Sequence, residues 1–376
     1  MPAPTVSVRD LYNWLQADRE VDVLDVRDGA EFDAWCVDGP GVTARHTPYM
    51  EVVAAGVSGD AASVVPDGLR EPVVVVCAVG EASAEVAESL RAEGVDAVNL
   101  EGGMDAWGAF VTSHDLGNGV VQFERPSSGC LSYLLVDGDA AAVVDPLAAA
   151  VDAYVEAAAA RDATITHAID SHVHADHVSG VRGLADATAA ARVLPAGATE
   201  RGLAVDADVL ATDGDEIAVG DRTLGVTHAP GHTSEHLVFS WGDDLLTGDC
   251  LFLDGVGRPD LEDADAAREL AGRQYDTLGA LTATADERRV MPGHVTPSTT
   301  HDGRDGGVVG SLAAVAAELS MLDLDRAAFV DHVTTGLPPR PANDEAIVAV
   351  NLGETAIDED TLALERGPNN CAVSGD

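Results

Sequence analysis

The stretch His172-Val173-His174-Ala175-Asp176-His177 decides how this chain is read. It follows Thr166-His167-Ala168-Ile169-Asp170, an apolar and strand-like run. A lone histidine usually satisfies a core hydrogen bond or sits on a surface. Three histidines and an aspartate within six residues are a different signal, because alternating imidazoles at a strand end can face one cation. Working outward, His232 stands in APGHTSEH, Asp249 in LLTGDC and His294 in MPGH. Each lies in a glycine-rich turn after an apolar run, where a β-rich scaffold would deliver ligands to one rim.

The chain has 376 residues, too many for one ordinary core, and its hydrophobic content of 46% fits folded structure. Apolar runs such as PVVVVCAV have strand length and fall far short of a membrane span. The start, MPAPTVSVRDLYNW, lacks a basic region followed by an apolar stretch. The expectation is a cytoplasmic protein with no membrane partner.

The formal net charge is −44, from 65 acidic against 21 basic residues, and every basic residue is arginine. The acidic residues are spread over all segments rather than gathered in a tail. Such a surface repels itself unless counterions screen it. The pattern points to a salt-adapted cytosol, where the Debye length falls to about 3 Å at molar salt. It also argues against nucleic acid as a partner. Five cysteines, Cys36, Cys77, Cys130, Cys250 and Cys371, show no paired spacing, which argues against a disulfide framework.

The chain divides near residue 115. Before it, VDVLDV and VVVVC are buried strands, EASAEVAESLRAEG is a helix with a glycine stop, and VDAVNL is another strand. This rhythm implies an open parallel sheet flanked by helices. VDVLDVRDGAEF resembles the early signature of rhodanese domains, and VNLEGGMDAW resembles their closing one; the likeness runs over roughly residues 5–112. Cys77, in CAVGEAS, falls where that family keeps its sulfur-carrying cysteine. Backbone N–H groups of the following loop and helix start can stabilise a thiolate there. The alternative is a strand-end cysteine that only packs. Active rhodaneses commonly place an arginine five residues on, where this chain has Ala82 after Glu81. That exchange favours persulfide transfer from a partner over use of anionic thiosulfate.

After residue 115, CLSYLLVD, AAAVVDP, ITHAID, EIAVGDRTLGVTHAP and HLVFSWGDDLLTGD alternate as strands, with helical segments between. Strands feeding ligands from their ends suggest an αββα sandwich of two sheets. The motifs resemble the metallo-β-lactamase superfamily. That resemblance implies two adjacent metal positions: His172, His174 and His232 line the first, Asp176, His177 and His294 the second, with Asp249 between. All seven residues are present, so ligand counting leaves one metal or two open.

GRPD at residues 257–260 and the run GLPPRPANDEAIVAVNLGE resemble persulfide dioxygenases, and with them the likeness extends over about residues 120–354. In that branch a single Fe(II) is held by two histidines and one aspartate, which fall here on His172, His232 and Asp249. His174, Asp176, His177 and His294 would be a second site or supporting groups. The implied substrates are a small thiol persulfide and dioxygen, giving sulfite and thiol. Arg258 is the expected anchor for a substrate carboxylate, or else a structural partner of Asp260 or Asp254. Tyr275 either hydrogen-bonds near the site or packs. Cys250, next to a ligand on a strand, is expected to be buried and inert.

Two other readings stand beside this one. A dinuclear zinc hydrolase of thioesters, like glyoxalase II, would use two Zn(II). A non-catalytic sulfur carrier would bind metal only for stability. The organisation expected is a rhodanese-like domain at 1–115, a metallo-β-lactamase-fold domain at 116–354 and a poorly ordered acidic tail at 355–376. The oligomeric state stays open, a homodimer being one option.

Overall fold

The computed structural model describes residues 3–283, 286–296, 299, 306–365 and 371–374. It divides into two compact units. The first comprises Met1–Phe110 with Arg125–Ser128 and Arg366–Pro368; the second comprises Val111–Glu124, Gly129–Glu365 and Asn369–Asp376.

The first unit holds β1 (Thr5–Val6), β2 (Val21–Asp25), β3 (Val42–His46), β4 (Val73–Val76) and β5 (Ala97–Leu100). They form one parallel sheet in the order β1-β5-β4-β2-β3. β2 and β4 are buried along their whole length, as central parallel strands covered on both faces must be. The covering helices are α1 (Val8–Gln16), α2 (Gly29–Ala34), α3 (Tyr49–Gly56), α4 (Glu81–Ala92) and α5 (Gly103–Ala109). Ser7 starts α1 by accepting from the Asp10 N–H, and Asp28 starts α2 in a capping box with Glu31. Two apolar clusters, one around Trp107 and Leu11 and one around Leu90 and Val75, pack the two faces.

The second unit has two large sheets. One contains β6 (Thr112–Gly117), β7 (Val120–Arg125), β8 (Cys130–Asp137), β9 (Ala140–Val144), β10 (Thr164–Ile169), β11 (Ala191–Pro195) and β12 (Val209–Ala211), in the order β12-β11-β10-β9-β8-β7-β6. The other contains β13 (Glu216–Val219), β14 (Arg222–His228), β15 (Leu237–Trp241), β16 (Asp244–Gly248), β18 (Arg289–Pro292) and β19 (Gly310–Ser311), in the order β13-β14-β15-β16-β18-β19. Between β16 and β18 the chain makes β17 (Gly255–Gly257), which pairs antiparallel with β20 (Ala372–Ser374).

Three apolar layers define the sandwich. Tyr133, Leu135 and Val144 of one sheet meet Phe239, Trp241 and Leu246 of the other in the central layer. α6 (Val151–Ala159) and α7 (Val181–Thr188) cover the outer face of the first sheet through Tyr154 and Leu184. α8 (Ala267–Thr282), α9 (Leu312–Glu318) and α10 (Arg326–Thr334) cover the second through Leu278, Val315 and Phe329. α11 (Asp344–Leu352) and α12 (Glu359–Ala363) follow.

Within the stretch after Glu354 that was expected to be poorly ordered, the described residues form two elements. Asp358 caps α12 in a reciprocal pair with Thr361, and β20 adds a strand to β17. Acidic composition concealed these local devices; Val373 still packs against the apolar layer beneath β17. Residues 366–370 and 375–376 of that tail lie outside the described residues. Among the described residues, no helix is long and apolar enough to cross a membrane.

Candidate metal centre

The ligand cluster begins where β9 and β10 end side by side. Asp145, just after β9, has φ of 53°, a left-handed conformation that turns its carboxylate onto the next loop. Its Oδ1 accepts from the Ser171 N–H at 2.6 Å and its Oδ2 from the Ser171 hydroxyl at 2.9 Å. Ser171 Oγ lies 2.9 Å from His172 Nδ1, which leaves Nε2 of that ring as its outward donor atom. The loop backbone is tied down elsewhere too. Glu235 accepts from the Val173 N–H, Glu365 from the Val178 N–H, and Asn351 donates to the carbonyls of His174 and His177.

The other strand ends bring in the rest. His232 follows β14, and its Nδ1 sits 2.8 Å from the Arg258 carbonyl. Asp249 follows β16, and its N–H donates to His236 Nε2 at 3.1 Å. His294 follows β18 and bridges two carboxylates: Nδ1 lies 2.8 Å from Asp249 Oδ1, Nε2 3.0 Å from Asp176 Oδ2. The approach requires glycine. A Cβ on Gly293 would lie 2.4 Å from Asp249 Oδ1, and one on Gly257 2.8 Å from His232 Nδ1.

Donor atoms of His172, His232 and Asp249 lie within 4.8 Å of one another, and all three side chains are buried. His172 Nε2 and Asp249 Oδ2 have no hydrogen-bond partner among the described residues. Leaving a buried polar atom unsatisfied costs roughly 1–3 kcal/mol. Two imidazoles and a carboxylate converging with unsatisfied atoms fit a divalent cation.

The other four of the seven residues stand beside this group. His174 directs Nε2 to Asp145 at 3.2 Å and Asp170 at 3.8 Å, while its buried Nδ1 has no hydrogen-bond partner among the described residues and its ring centroid lies 4.1 Å from that of His172. Asp176, His177 and His294 do meet: His177 Nδ1 is 3.1 Å and His294 Nε2 3.0 Å from Asp176 Oδ2. Burial opposes a charge on His294, but the Asp249 and Asp176 carboxylates outweigh it and hold its pKa well above the usual histidine value. Burial, reinforced by the neighbouring His174, keeps His172 well below that value. Burial pushes His236 down to about 3.

For Arg258 and Tyr275, the structure shows the structural one of the two roles expected of each. The buried Arg258 guanidinium is engaged within the chain, bidentate to Asp260 at 2.7 and 3.0 Å and donating to the Pro339 carbonyl at 2.9 Å. Its contribution to the site is its own carbonyl, on His232. Tyr275 packs against Phe329 of α10 at 5.6 Å between ring centroids, in the apolar layer that also holds Cys250. Cys250 is buried in an apolar layer, and burial pushes its thiol up to about 12.

In the first unit, Cys77 follows β4 and is buried. Its Sγ is approached by the N–H groups of Gly80 at 3.1 Å and Ser83 at 3.3 Å, and by the Ser83 hydroxyl at 3.1 Å. Ser83 Oγ also meets buried Asn99 Oδ1 at 2.6 Å. The loop closes this tightly because Gly103, with φ of 59°, has no Cβ; one would lie 2.2 Å from the Cys77 carbonyl.

Residues 126–294 match the Metallo-beta-lactamase superfamily, and residues 7–110 match the Rhodanese-like domain. ETHE1 from Myxococcus xanthus is similar in structure, with a TM-score of 0.55 and 30% identity over 62% of this chain and 97% of that one. The chain belongs to the metallo-beta-lactamase superfamily and carries a rhodanese-like domain. A Staphylococcus aureus metallo-beta-lactamase shares the fold, with a TM-score of 0.56 and 23% identity over 66% of this chain and 74% of that one. Hydroxyacylglutathione hydrolase of Rhodospirillum rubrum is 32% identical over 41% of this chain and 57% of its own length. That of Methylococcus capsulatus is 36% identical over 43% and 60%. The chain thus spans little more than half the length of these two curated relatives.

Several residues around the superfamily cluster carried no role in the sequence reading. Asp145 ends the run AAAVVDP, where an aspartate before proline signals a turn and not a loop clamp. His236 and Glu235 close APGHTSEH, and Asn351 opens Asn-Leu-Gly; both strings were visible, but not which loop they hold. Cys130 and Cys371 gave no spacing signal.

Proposed function

We propose that the second unit is an Fe(II) persulfide dioxygenase, converting a small thiol persulfide, dioxygen and water to the parent thiol, sulfite and two protons. The observation that carries this reading is the grouping of His172, His232 and Asp249, whose donor atoms lie within 4.8 Å of one another. Two histidines and one carboxylate are the ligand set of non-haem Fe(II) oxygenases. Iron bound there would offer open positions to both the persulfide sulfur and dioxygen.

The chain's own residues do the rest. Ser171 and the Arg258 carbonyl fix the rings of His172 and His232, so their donor atoms need no reorganisation. Burial of all three ligands excludes bulk water. His294 holds a proton between Asp249 and Asp176, beside the reacting pair, and is placed to pass it to the departing thiolate. GRPD and the Pro-rich run support the assignment through structure: Arg340 donates to the carbonyls of Asp260 and Leu261, and Asn351 holds the histidine loop.

In the first unit, Cys77 accepts the outer sulfur of a persulfide. A new S–S bond forms at Cys77 while the donor leaves as its thiol. The Gly80 and Ser83 donors cradle that sulfur, and Ala82 supplies no cation for thiosulfate.

The reading of a dinuclear zinc hydrolase is favoured by one observation, the adjacent group of Asp176 and His294. Oxygen uptake separates the two. The protein is loaded anaerobically with Fe(II) in molar potassium chloride and given a small thiol persulfide. Rapid uptake with stoichiometric sulfite supports the dioxygenase. A folded, iron-loaded protein that takes up no oxygen but cleaves thioesters when loaded with zinc would replace it. The acidic surface suits salt adaptation, so the melting temperature should fall as salt drops from molar to about 0.1 M and the Debye length grows from about 3 to about 10 Å. A melting temperature independent of salt would count against it.

A further inference from the structure

Three loops of the first unit meet at the carboxyl ends of β2, β3 and β4, the rim where open parallel sheets present their sites. Backbone bonds hold them side by side. The Val26 N–H donates to the Val76 carbonyl at 2.9 Å, and the Tyr49 N–H donates to the Val26 carbonyl at 2.9 Å. Cys77 follows Val76, so the thiol cradle and the start of α3 share this rim. Side chains join them as well. The Tyr49 hydroxyl donates to Glu85 of α4 at 2.5 Å, and Tyr49 and Ala82 pack in the same apolar cluster as Cys77.

Two apolar side chains on this rim lie open to solvent. Met50, next to Tyr49, is 70% exposed, and Val79, two residues beyond Cys77, is 53% exposed. A single exposed apolar residue is ordinary. Two beside a reactive thiol, on a chain with a formal net charge of −44, mark a surface that another molecule covers. The surroundings are acidic. Asp28, Glu51, Glu81 and Glu85 are exposed. Arg27 is the one basic residue among 26–28, 47–51 and 77–85, and it is bound to Asp25 at 2.7 and 3.1 Å and to the Trp35 carbonyl. An anionic donor therefore finds no free cation in these loops, whereas a cationic partner finds carboxylates. In molar salt the Debye length is about 3 Å, so charges act only in direct contact and apolar burial holds the partner.

We infer that Met50 and Val79 form a docking patch through which Cys77 takes sulfur from a persulfide borne on a protein segment whose neighbouring residues are apolar and cationic. The inference rests on the reading of Cys77 as a sulfur acceptor and adds the class of donor. The segment's apolar side chains cover Met50 and Val79, and its cations meet Glu51, Glu81 and Glu85. The Cys77 sulfur attacks the outer sulfur of the donor and gives up its proton. The S–S bond of the donor breaks, a new one forms at Cys77, and the donor cysteine leaves with the proton as its thiol. No external oxidant or reductant is consumed. A free small persulfide reaches only the cradle and gains nothing from the patch.

The test uses the full-length, iron-loaded protein in molar potassium chloride, kept anaerobic so that no persulfide is oxidised. Three donors are compared: cysteine persulfide, a short peptide persulfide flanked by leucine and arginine, and one of equal length flanked by serine and glutamate. The gain of one sulfur at Cys77 is followed by mass spectrometry of the intact chain and of its peptides. The leucine–arginine peptide should label Cys77 at least ~10-fold faster than either other donor, less than full burial of two apolar side chains would give. Met50→Asp should remove most of that advantage and leave labelling by cysteine persulfide unchanged. Val209→Asp, an equal change of charge at an exposed apolar residue of the second unit, should keep the advantage. A leucine–arginine peptide no faster than either other donor overturns the docking patch, as does an advantage that survives Met50→Asp. Both of those results leave Cys77 standing as an acceptor. Failure of all three donors to label Cys77 overturns the acceptor reading itself and the patch with it.

Discussion

Cys77 takes its hydrogen bonds from residues three and six positions downstream, while His172 meets His232 sixty residues and Asp249 seventy-seven residues away. The thiol cradle is one loop and one helix start. The ligand group is assembled from the ends of strands in two sheets. A local site can be read from a short string and survives damage elsewhere in its unit. An assembled site depends on every element that aims a donor atom, including those that never touch the reacting atoms.

The sharpest break in that comparison is removal of a ligand. His232→Ala should lower iron content and reduce oxygen uptake by more than ~100-fold, since loss of a supporting partner alone typically costs 10–100-fold. The same variant should accept sulfur at Cys77 at the wild-type rate, measured by intact mass after anaerobic persulfide treatment. Unchanged uptake would exclude His232 as a ligand.

Asn351 tests the dependence on distant support. It touches no donor atom, but its amide holds the carbonyls of His174 and His177, 177 and 174 residues away, and accepts from Ser179. Asn351→Ala should weaken iron binding about 10–100-fold. Competition with a chelator would measure the loss, and Asn351→Asp should recover only the part due to the Ser179 contact. Equal iron affinity in the alanine variant would show that the loop holds itself.

The same contrast explains what was legible in the sequence. The two units, the parallel sheet and the sandwich were readable, because glycine-punctuated strands and good helix formers carry local signals. The seven motif residues were readable for the same reason. Their partition came only from the likeness to persulfide dioxygenases and not from the string itself. Nothing in HVHADH says that His174 turns toward Asp145 and Asp170, because that depends on where β9 ends beside β10. Arg258 and Tyr275 have chemistry that suits a substrate, but Asp260 takes the guanidinium and Phe329 the ring. The C-terminal strand was hidden by acidic composition, and Cys371 with it. Long-range pairing decides these cases, and a string of residues does not encode it locally.

Within the cradle, Ser83 meets the sulfur twice, donating through its backbone N–H and touching it with the hydroxyl, whose one proton faces the Asn99 Oδ1 acceptor at 2.6 Å. Ser83→Ala removes one contact to sulfur and deprives buried Asn99 of a partner. A hydrogen bond worth about 1.5 kcal/mol corresponds to roughly a tenfold slower sulfur transfer to Cys77. Oxygen uptake on a supplied persulfide should stay unchanged. A fall in both would mean that sulfur must pass through Cys77 before it is oxidised.

The smallest effect concerns charge. Ala82 stands where a cation would help bind an anionic donor, and Glu81 precedes it on the first turn of α4. Ala82→Arg should raise thiosulfate-dependent sulfur transfer a few-fold, because an exposed charge near a thiolate contributes only about 0.2–1 kcal/mol. The gain should shrink as salt rises, since screening acts on exposed pairs first. A gain that persists in molar salt would place the new guanidinium in direct contact with the donor, and the cradle would then lack only that residue. No gain at any salt would mean that the loop itself, and not the missing charge, excludes thiosulfate.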